Sequence, residues 1–204
     1  MQQKKRILLL ATGGTIASRK SDNGLKPQIT PEELIEYIPQ VKEICDVEAV
    51  QLLNLDSTNM EPSHWKLMVH AIWEHYDDFD GFVIAHGTDT LAYTASLLAL
   101  ALSKVEIPVF LVSSQLPLNQ EGANGNENFR RSVELICAGI HSGVYVVYRN
   151  EDGRCFLHHG GHLVSSGDYS NDFYSRDAVC LGEVSKVMEG ECSKAAMHLN
   201  QWTE

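Results

Sequence analysis

The chain has no run approaching the roughly 20 consecutive apolar residues that a membrane-spanning helix needs, so no such helix is expected. Positive charge is also scarce. The 16 Lys and Arg stand against 27 Asp and Glu, a formal net charge of -11. That balance disfavours a nucleic-acid backbone or an anionic membrane surface as the main partner and leaves a small polar substrate open. Five cysteines (Cys45, Cys137, Cys155, Cys180 and Cys192) form an odd set without a Cys-x-x-Cys pair. Neither a disulfide framework nor a metal site is expected from them, and a reducing, cytoplasmic compartment is. Gly-x-Gly-x-x-Gly and Gly-Lys-Thr loops are missing, which removes support for a dinucleotide or P-loop nucleotide. Lys4-Lys5-Arg6 ahead of Ile7 to Ala11 has the charge of a secretion signal, but the apolar run is too short and ends in Thr-Gly-Gly.

What is present, at 204 residues and 44% hydrophobic composition, suffices for one domain with a sizeable core. Ile7 to Ala11 reads as a buried strand bounded by Gly13 and Gly14, with Thr15 presented at its carboxyl end. Arg19 to Gln28 is polar and reads as an exposed loop. Thr30-Pro31-Glu32-Glu33 has the residues of a helix start: an N-cap, a first-turn proline and acidic groups at the positive end of the dipole. Further strands are expected at 46–55, 82–85, 107–112 and 143–148. Helices are expected at 62–76, 91–102 and from Phe129 to Ile140. The tryptophans and histidines of 62–76 read as core or surface positions of a helix rather than a cofactor site. Alternation of strand and helix implies a mostly parallel sheet with right-handed crossovers, covered on both faces. Beyond residue 150 the pattern weakens: Asp152-Gly153 suggests a hairpin turn, His158, His159 and His162 read as loop histidines, and two helices are expected without firm positions.

Chemistry collects at the strand ends. Thr12 with Thr15, Ser57 with Thr58, Thr88 with Asp89, and Ser113 with Ser114 each follow an apolar run, and a parallel topology brings them to one edge. Any one of these pairs could equally be a turn former or helix cap. Thr88-Asp89 stands where a helix begins, so its backbone N–H groups and dipole suit a carboxylate. A threonine hydroxyl attacks well only when a base takes its proton, and Asp89 is the nearest candidate in sequence.

Ala11-Thr12-Gly13-Gly14-Thr15-Ile16-Ala17-Ser18 and Ala85-His86-Gly87-Thr88-Asp89-Thr90-Leu91 resemble the two signature motifs of bacterial-type L-asparaginases. The same motifs cover the asparaginase-like subunit of the archaeal tRNA-dependent amidotransferase. Asp56-Ser57-Thr58-Asn59-Met60 with Trp65, and Val112-Ser113-Ser114-Gln115 with Pro117, match as well. The resemblance runs from about residue 5 to about residue 175. It implies a three-layer, flavodoxin-like α/β domain over 1–175, a tail or interdomain remnant over 176–204, and hydrolysis of the asparagine side-chain amide without a cofactor. In that scheme Thr15 accepts the acyl group, and Thr88 and Asp89 belong to a second catalytic Thr-Asp-Lys group. Ser57 binds the substrate carboxylate, Thr58 is the adjoining contact, and Asp89 also meets the substrate ammonium. The Ser114 carbonyl meets the amide, and Gly14 and Gly87 of the two motifs count among the substrate-binding positions. A homodimer or larger homo-oligomer is implied.

The sequence departs from the family pattern in three places. The mobile-loop tyrosine is replaced in Gly24-Leu25-Lys26-Pro27. The family lysine falls near Val164, and no lysine occurs between Lys104 and Lys186, leaving His159 and His162 as nearby substitutes. A second, smaller α/β domain has no room before Glu204. These departures keep a second reading in play, a homologue that binds small amino acids without turning them over.

Overall fold

The computed structural model describes residues 4–21, 24–27, 29–164, 170–176 and 180–188, with the side chains of 19–28 and 177–180 left aside. Strand β1 (Lys5–Gly13) lies between β4 (Cys45–Leu55) and β5 (Gly81–Ala85), and β6 (Pro108–Val112) and β7 (Gly143–Arg149) follow outward from β5. All five run parallel. Numbered by their succession in this sheet, they stand in the order 2-1-3-4-5, the flavodoxin-like arrangement with its switch point between the first and third strands. The turn at Asp152-Gly153 returns the chain as β8 (Cys155–His159), antiparallel to β7. An edge strand, β11 (Cys180–Glu183), completes seven.

The β1 run is apolar without interruption because both faces of the sheet are covered. Ile7, Leu9 and Ala11 pack into a core with α1 (Pro31–Glu36), α2 (Val41–Ile44) and α5 (Gly125–Cys137). Leu8 and Leu10 pack against α3 (Pro62–Glu74) and α4 (Leu91–Ala101) on the other face. Helix α1 starts as its residues require: the Thr30 hydroxyl accepts from Glu33 N at 3.2 Å, Glu33 returns the bond to Thr30 N at 3.0 Å, and Pro31 fills the first turn.

Several expectations are corrected. The steps from β5 to β6 and from β6 to β7 go in the same direction, yet α4 and α5 lie on opposite faces. The β6–α5–β7 crossover therefore has the opposite hand to the one before it, an exception to right-handed connection. Two buried asparagines tie it down. Asn128 Nδ2 donates to Ser113 O at 2.9 Å while its Oδ1 accepts from Arg149 N at 2.8 Å, and Asn124 Nδ2 donates to Arg149 O at 2.8 Å. These bonds also explain why α5 begins at Gly125, ahead of the expected start at Phe129: its polar first turn is spent bridging β6 to β7 rather than facing water. Within the stretch expected to be a loop, strands β2 (Ser18–Ser21) and β3 (Gly24–Pro27) pair antiparallel, from Ser18 against Pro27 to Ser21 against Gly24. Among the described residues beyond 150 come β8, the short pair β9 (Leu163–Val164) and β10 (Tyr174–Ser175), β11 and one short helix, α6 (Val184–Met188); most of the tail expected over 176–204 lies outside the described residues.

His158 and His159 are strand residues rather than loop ones, because β8 pairs along β7 from Tyr145 to Arg149. His158 is buried with Nδ1 2.8 Å from Ser175 Oγ, and burial lowers its pKa to about 4. His86 is fully buried and is lowered to about 4 for the same reason, against a smaller opposing bond from Gly87. A lowered folded-state pKa means that the unfolded chain binds more protons between pH 6.5 and 4. The stabilisation from burying each neutral ring is therefore complete above pH 6.5 and drains away as pH falls to about 4. Each ring should cost about 3 kcal/mol across that window. Urea denaturation at pH 7 and pH 4.5 checks this: stability should fall, and His158→Asn should fall less. An equal fall in both proteins would contradict it.

Candidate active site

The carboxyl ends of β1, β4, β5 and β6 lie side by side, so all four polar clusters reach one edge of the sheet at the switch point. Closest together are Gly14, Gly87 and Ser57. Gly14 sits at φ +75°, where a side chain is strained, and a β-carbon on it would lie 2.4 Å from the Gly87 Cα and 2.5 Å from its nitrogen. A β-carbon on Gly87 would lie 2.4 Å from Ser57 Oγ. Three turns thus interlock through missing side chains, and Thr15 and Thr88, the next residues along, leave from adjoining points.

Main-chain bonds fix the turns. Gly14 N donates to Leu55 O at 3.0 Å, Ser18 Oγ to Gly14 O at 2.7 Å and Thr90 Oγ1 to Ser57 O at 3.0 Å. Thr12 serves as a strut: buried, its hydroxyl donates to Ala85 O at 2.8 Å across the β1–β5 pair. Thr15 is half-buried at the start of a single 3-10 turn, Thr15–Ala17, and its hydroxyl makes no hydrogen bond among the described residues. Thr88 is half-buried and Asp89 is exposed ahead of α4, so both remain open to a ligand. Thr58 is exposed, and Asp56 holds it: Oδ1 accepts from Thr58 N at 2.9 Å and from its hydroxyl at 2.8 Å.

Buried polar atoms without a partner among the described residues gather at this edge: Ser57 Oγ, His86 Nε2, Ser113 Oγ and Gln115 Oε1. They are four of the nine such atoms among the described residues, and because leaving a buried polar atom unpaired costs free energy, each of the four is a group that a ligand at this edge could satisfy. His86 Nδ1 lies 2.8 Å from Gly87 O, which as an acceptor assigns the ring hydrogen to Nδ1 and leaves Nε2 as a bare lone pair. Ser114 is buried against α5, where its hydroxyl accepts from Gly125 N at 3.1 Å, and Asn124 Oδ1 receives Gln115 N at 3.0 Å.

The positioning roles of His86, Asn124, Asn128 and Asp56 do not follow from the sequence reading. His86 and Asp56 stand inside family motifs and could have been found there. The asparagines give no signal beyond loop composition. Val164, near which the resemblance puts the family lysine, pairs with Tyr174 between β9 and β10 and is 41% exposed. It lines an open cavity of ≈ 350 Å³ with Ala92, Tyr93, Ser96, His162 and Arg176, beside the first turns of α4. That cavity does not include Thr15, Ser57 or Asp89, and the interlocked turns, not the concavity, define the site. His162 thus shares the cavity with Val164, while His159 accepts from Gly161 N through Nδ1 at 3.2 Å. The described residues contain no group of three or more His, Cys, Asp or Glu arranged to hold a metal ion.

Against known proteins, the family description "Asparaginase, N-terminal" matches residues 6–193. The chain is 36% identical over 147 residues to the L-asparaginase of Thermococcus kodakarensis, covering 72% of this chain and 44% of that protein. It is 35% identical over 189 residues to a glutamyl-tRNA(Gln) amidotransferase subunit of Methanococcus maripaludis strain C6, covering 90% of this chain and 45% of the relative. Among solved structures, L-asparaginase I from Vibrio cholerae superposes with a TM-score of 0.75 at 31% identity, over 88% of this chain and 54% of that one. The probable cytoplasmic L-asparaginase from Campylobacter jejuni gives 0.74 at 31%, over 88% and 54%. The chain spans about half the length of these relatives. With the two signature motifs folded against each other at the switch point, the chain belongs to the asparaginase family, through that family's N-terminal domain.

Proposed function

We propose that the protein hydrolyses the side-chain amide of L-asparagine, or of a closely related small amide, with Thr15 as nucleophile. The interlocking of Gly14, Gly87 and Ser57 supports this reading, because it brings together the residues directly before Thr15 and Thr88 at the strand-end edge where open α/β sheets bind ligands. The Thr15 hydroxyl attacks the amide carbon, its proton passing toward the Thr88–Asp89 group. The carbon–nitrogen bond breaks, ammonia leaves, and water then cleaves the ester to free the acid and the hydroxyl. Ser57 and the backbone around Gly87 hold the substrate carboxylate. Asp89 takes the ammonium with Thr58 alongside, and the Ser114 carbonyl orients the amide. A small zwitterion also suits a chain of net charge -11 better than a polyanion does. Ammonia release from asparagine and glutamine tests the proposal, with asparagine the better substrate, and release no faster than in buffer would overturn it.

One observation favours a second reading. Val164 supplies no charge near where the family pattern places a lysine, so proton transfer should be slow, and a protein that binds without turnover fits the same geometry. Calorimetric titration with aspartate, weakened by Ser57→Ala and Asp89→Ala, would identify that case when ammonia release is absent. If the hydrolytic reading holds, Val164→Lys should raise kcat roughly 10–100-fold. An unchanged or lower kcat in a folded variant would contradict a missing proton shuttle. We place the protein in the cytoplasm as a homodimer or larger homo-oligomer. Light scattering on the purified chain, alone and with co-purifying proteins, checks the assembly.

A further inference from the structure

Beyond the candidate site, the turn from β7 to β8 borders a second cavity, of ≈ 350 Å³, which includes none of Thr15, Ser57, Thr88 and Asp89. Phe156 and His158 stand two apart on β8 and so share a face of the strand, with their ring centroids 6.3 Å apart. The rest of the wall comes from the turn itself and from Asp172 to Ser175. Asn150 clamps these two together: its Oδ1 accepts from Phe173 N at 3.1 Å and its Nδ2 donates to Phe173 O at 3.2 Å. The wall is therefore set by the fold. His158, 2% exposed, spends Nδ1 on Ser175 Oγ at 2.8 Å, and its Nε2 is another of the nine buried polar atoms without a partner among the described residues. We propose that this cavity binds a flat aromatic cation bearing N–H donors, an arylamidine or an aminated heterocycle, which donates to His158 Nε2, packs on Phe156 and Phe173 and pairs its charge with Asp172.

Charge selects the class of ligand. Two carboxylates, Asp152 and Asp172, line the cavity against one guanidinium, that of Arg154. Arg154 is committed to Asp152, with Nε at 2.8 Å and Nη2 at 2.6 Å from Oδ2. Asp172 has only neutral donors: its Oδ1 accepts from Glu151 N at 2.7 Å and its Oδ2 from the Tyr174 hydroxyl at 3.3 Å, and no cation pairs with it among the described residues. Each of those oxygens keeps a lone pair for a further donor. The Arg154 guanidinium lies over the Phe156 ring, 5.2 Å from its centroid, so a flat cation already rests on this aromatic wall. Burial lowers the His158 pKa to about 4, which leaves the ring neutral and no deterrent to a cation. With Ser175 Oγ accepting from Nδ1–H, Nε2 offers a lone pair to a ligand N–H. An anion would face Asp172 unpaired, and a hydrocarbon would leave Nε2 unsatisfied. Apolar walls with a few fixed polar groups, in a volume within the roughly 300–1,000 Å³ of small-molecule sites, suit a ligand of this kind.

Benzamidine is the probe, with benzoate as its anionic isostere, and the readout is nuclear magnetic resonance of the whole chain carrying isotopically labelled histidine. The His158 ring resonances are those missing from His158→Asn. Benzamidine should shift them saturably, with a Kd of about 1 mM or below, while benzoate at the same concentrations should leave them in place. Asp172→Asn, which keeps an oxygen for Glu151 N, and Phe156→Leu should each raise that Kd about tenfold with the fold intact. Asp89→Asn, at the candidate active site, should not change it. His158 resonances that benzamidine fails to move, that benzoate moves equally, or that report the wild-type Kd in folded Asp172→Asn would overturn the assignment.

Discussion

Gly14→Ala should cut ammonia release roughly 10²-fold and destabilise the fold together. The added methyl meets backbone, the Gly87 Cα at 2.4 Å and nitrogen at 2.5 Å, so no side-chain rotation relieves it. Overpacking of this kind costs about 1–3 kcal/mol, and a β-carbon at φ +75° adds about 1–2 kcal/mol. Against a typical stability of about 5–15 kcal/mol, most of the protein should still fold in the cold. Its turns, however, would be pushed apart where Thr15 and Thr88 depart, and a displacement of about 1 Å at a reacting centre can cost roughly 10²-fold in rate. Urea denaturation paired with an ammonia assay separates the two effects. Gly122→Ala is the contrast: it has a similar positive φ but nothing within 4 Å, so it should lose a little stability and no activity. Equal activity losses in the two variants would mean that the close approach of Gly14 to Gly87 does not hold the site.

The same geometry explains what could be read from the sequence. A buried parallel strand ending in glycine announces itself, because an apolar run covered on both faces has no polar interruptions, and β1, β5 and β6 are of this kind. Thr15, Ser57, Thr88 and Ser114 could be placed at one edge because strand ends in a parallel sheet share a side. Tertiary bonds were illegible. Asn124 and Asn128 look like loop residues until β7 arrives to accept from them and donate to them. The reversed hand of the β6–α5–β7 crossover depends on that same arrival. The β2–β3 pairing was hidden by polarity, since a two-stranded ribbon need not alternate apolar and polar residues. The β8 histidines were hidden by the motif-like run His158-His159-Gly160-Gly161-His162, whose first two members are in fact paired to β7. His86 was the most costly omission. It lies within the signature motif, where it could have been found, and it is buried and bonded to the carbonyl of the glycine that touches both Gly14 and Ser57.

The second large effect concerns Thr15 itself. Its hydroxyl, like that of Thr88, is half-buried, follows directly on the Gly14–Gly87 contact and makes no bond among the described residues, and the family resemblance is what assigns the acyl-accepting role to Thr15. Thr12 is occupied as a strut and Thr58 is held by Asp56. Removing it should therefore take away the acyl acceptor and leave the packing intact, because neither the Gly14 N–H to Leu55 bond nor the Ser18 bond to Gly14 passes through its side chain. The loss should be roughly 10³-fold or more in kcat, with an unchanged melting temperature and aspartate still binding. Thr12→Ser, which keeps the strut, should remain active. The most direct test is ammonia release from asparagine by wild type and Thr15→Ala, prepared side by side and matched for folded protein. The account predicts turnover in the wild type and a rate at background in the variant; turnover of similar size in both would contradict it.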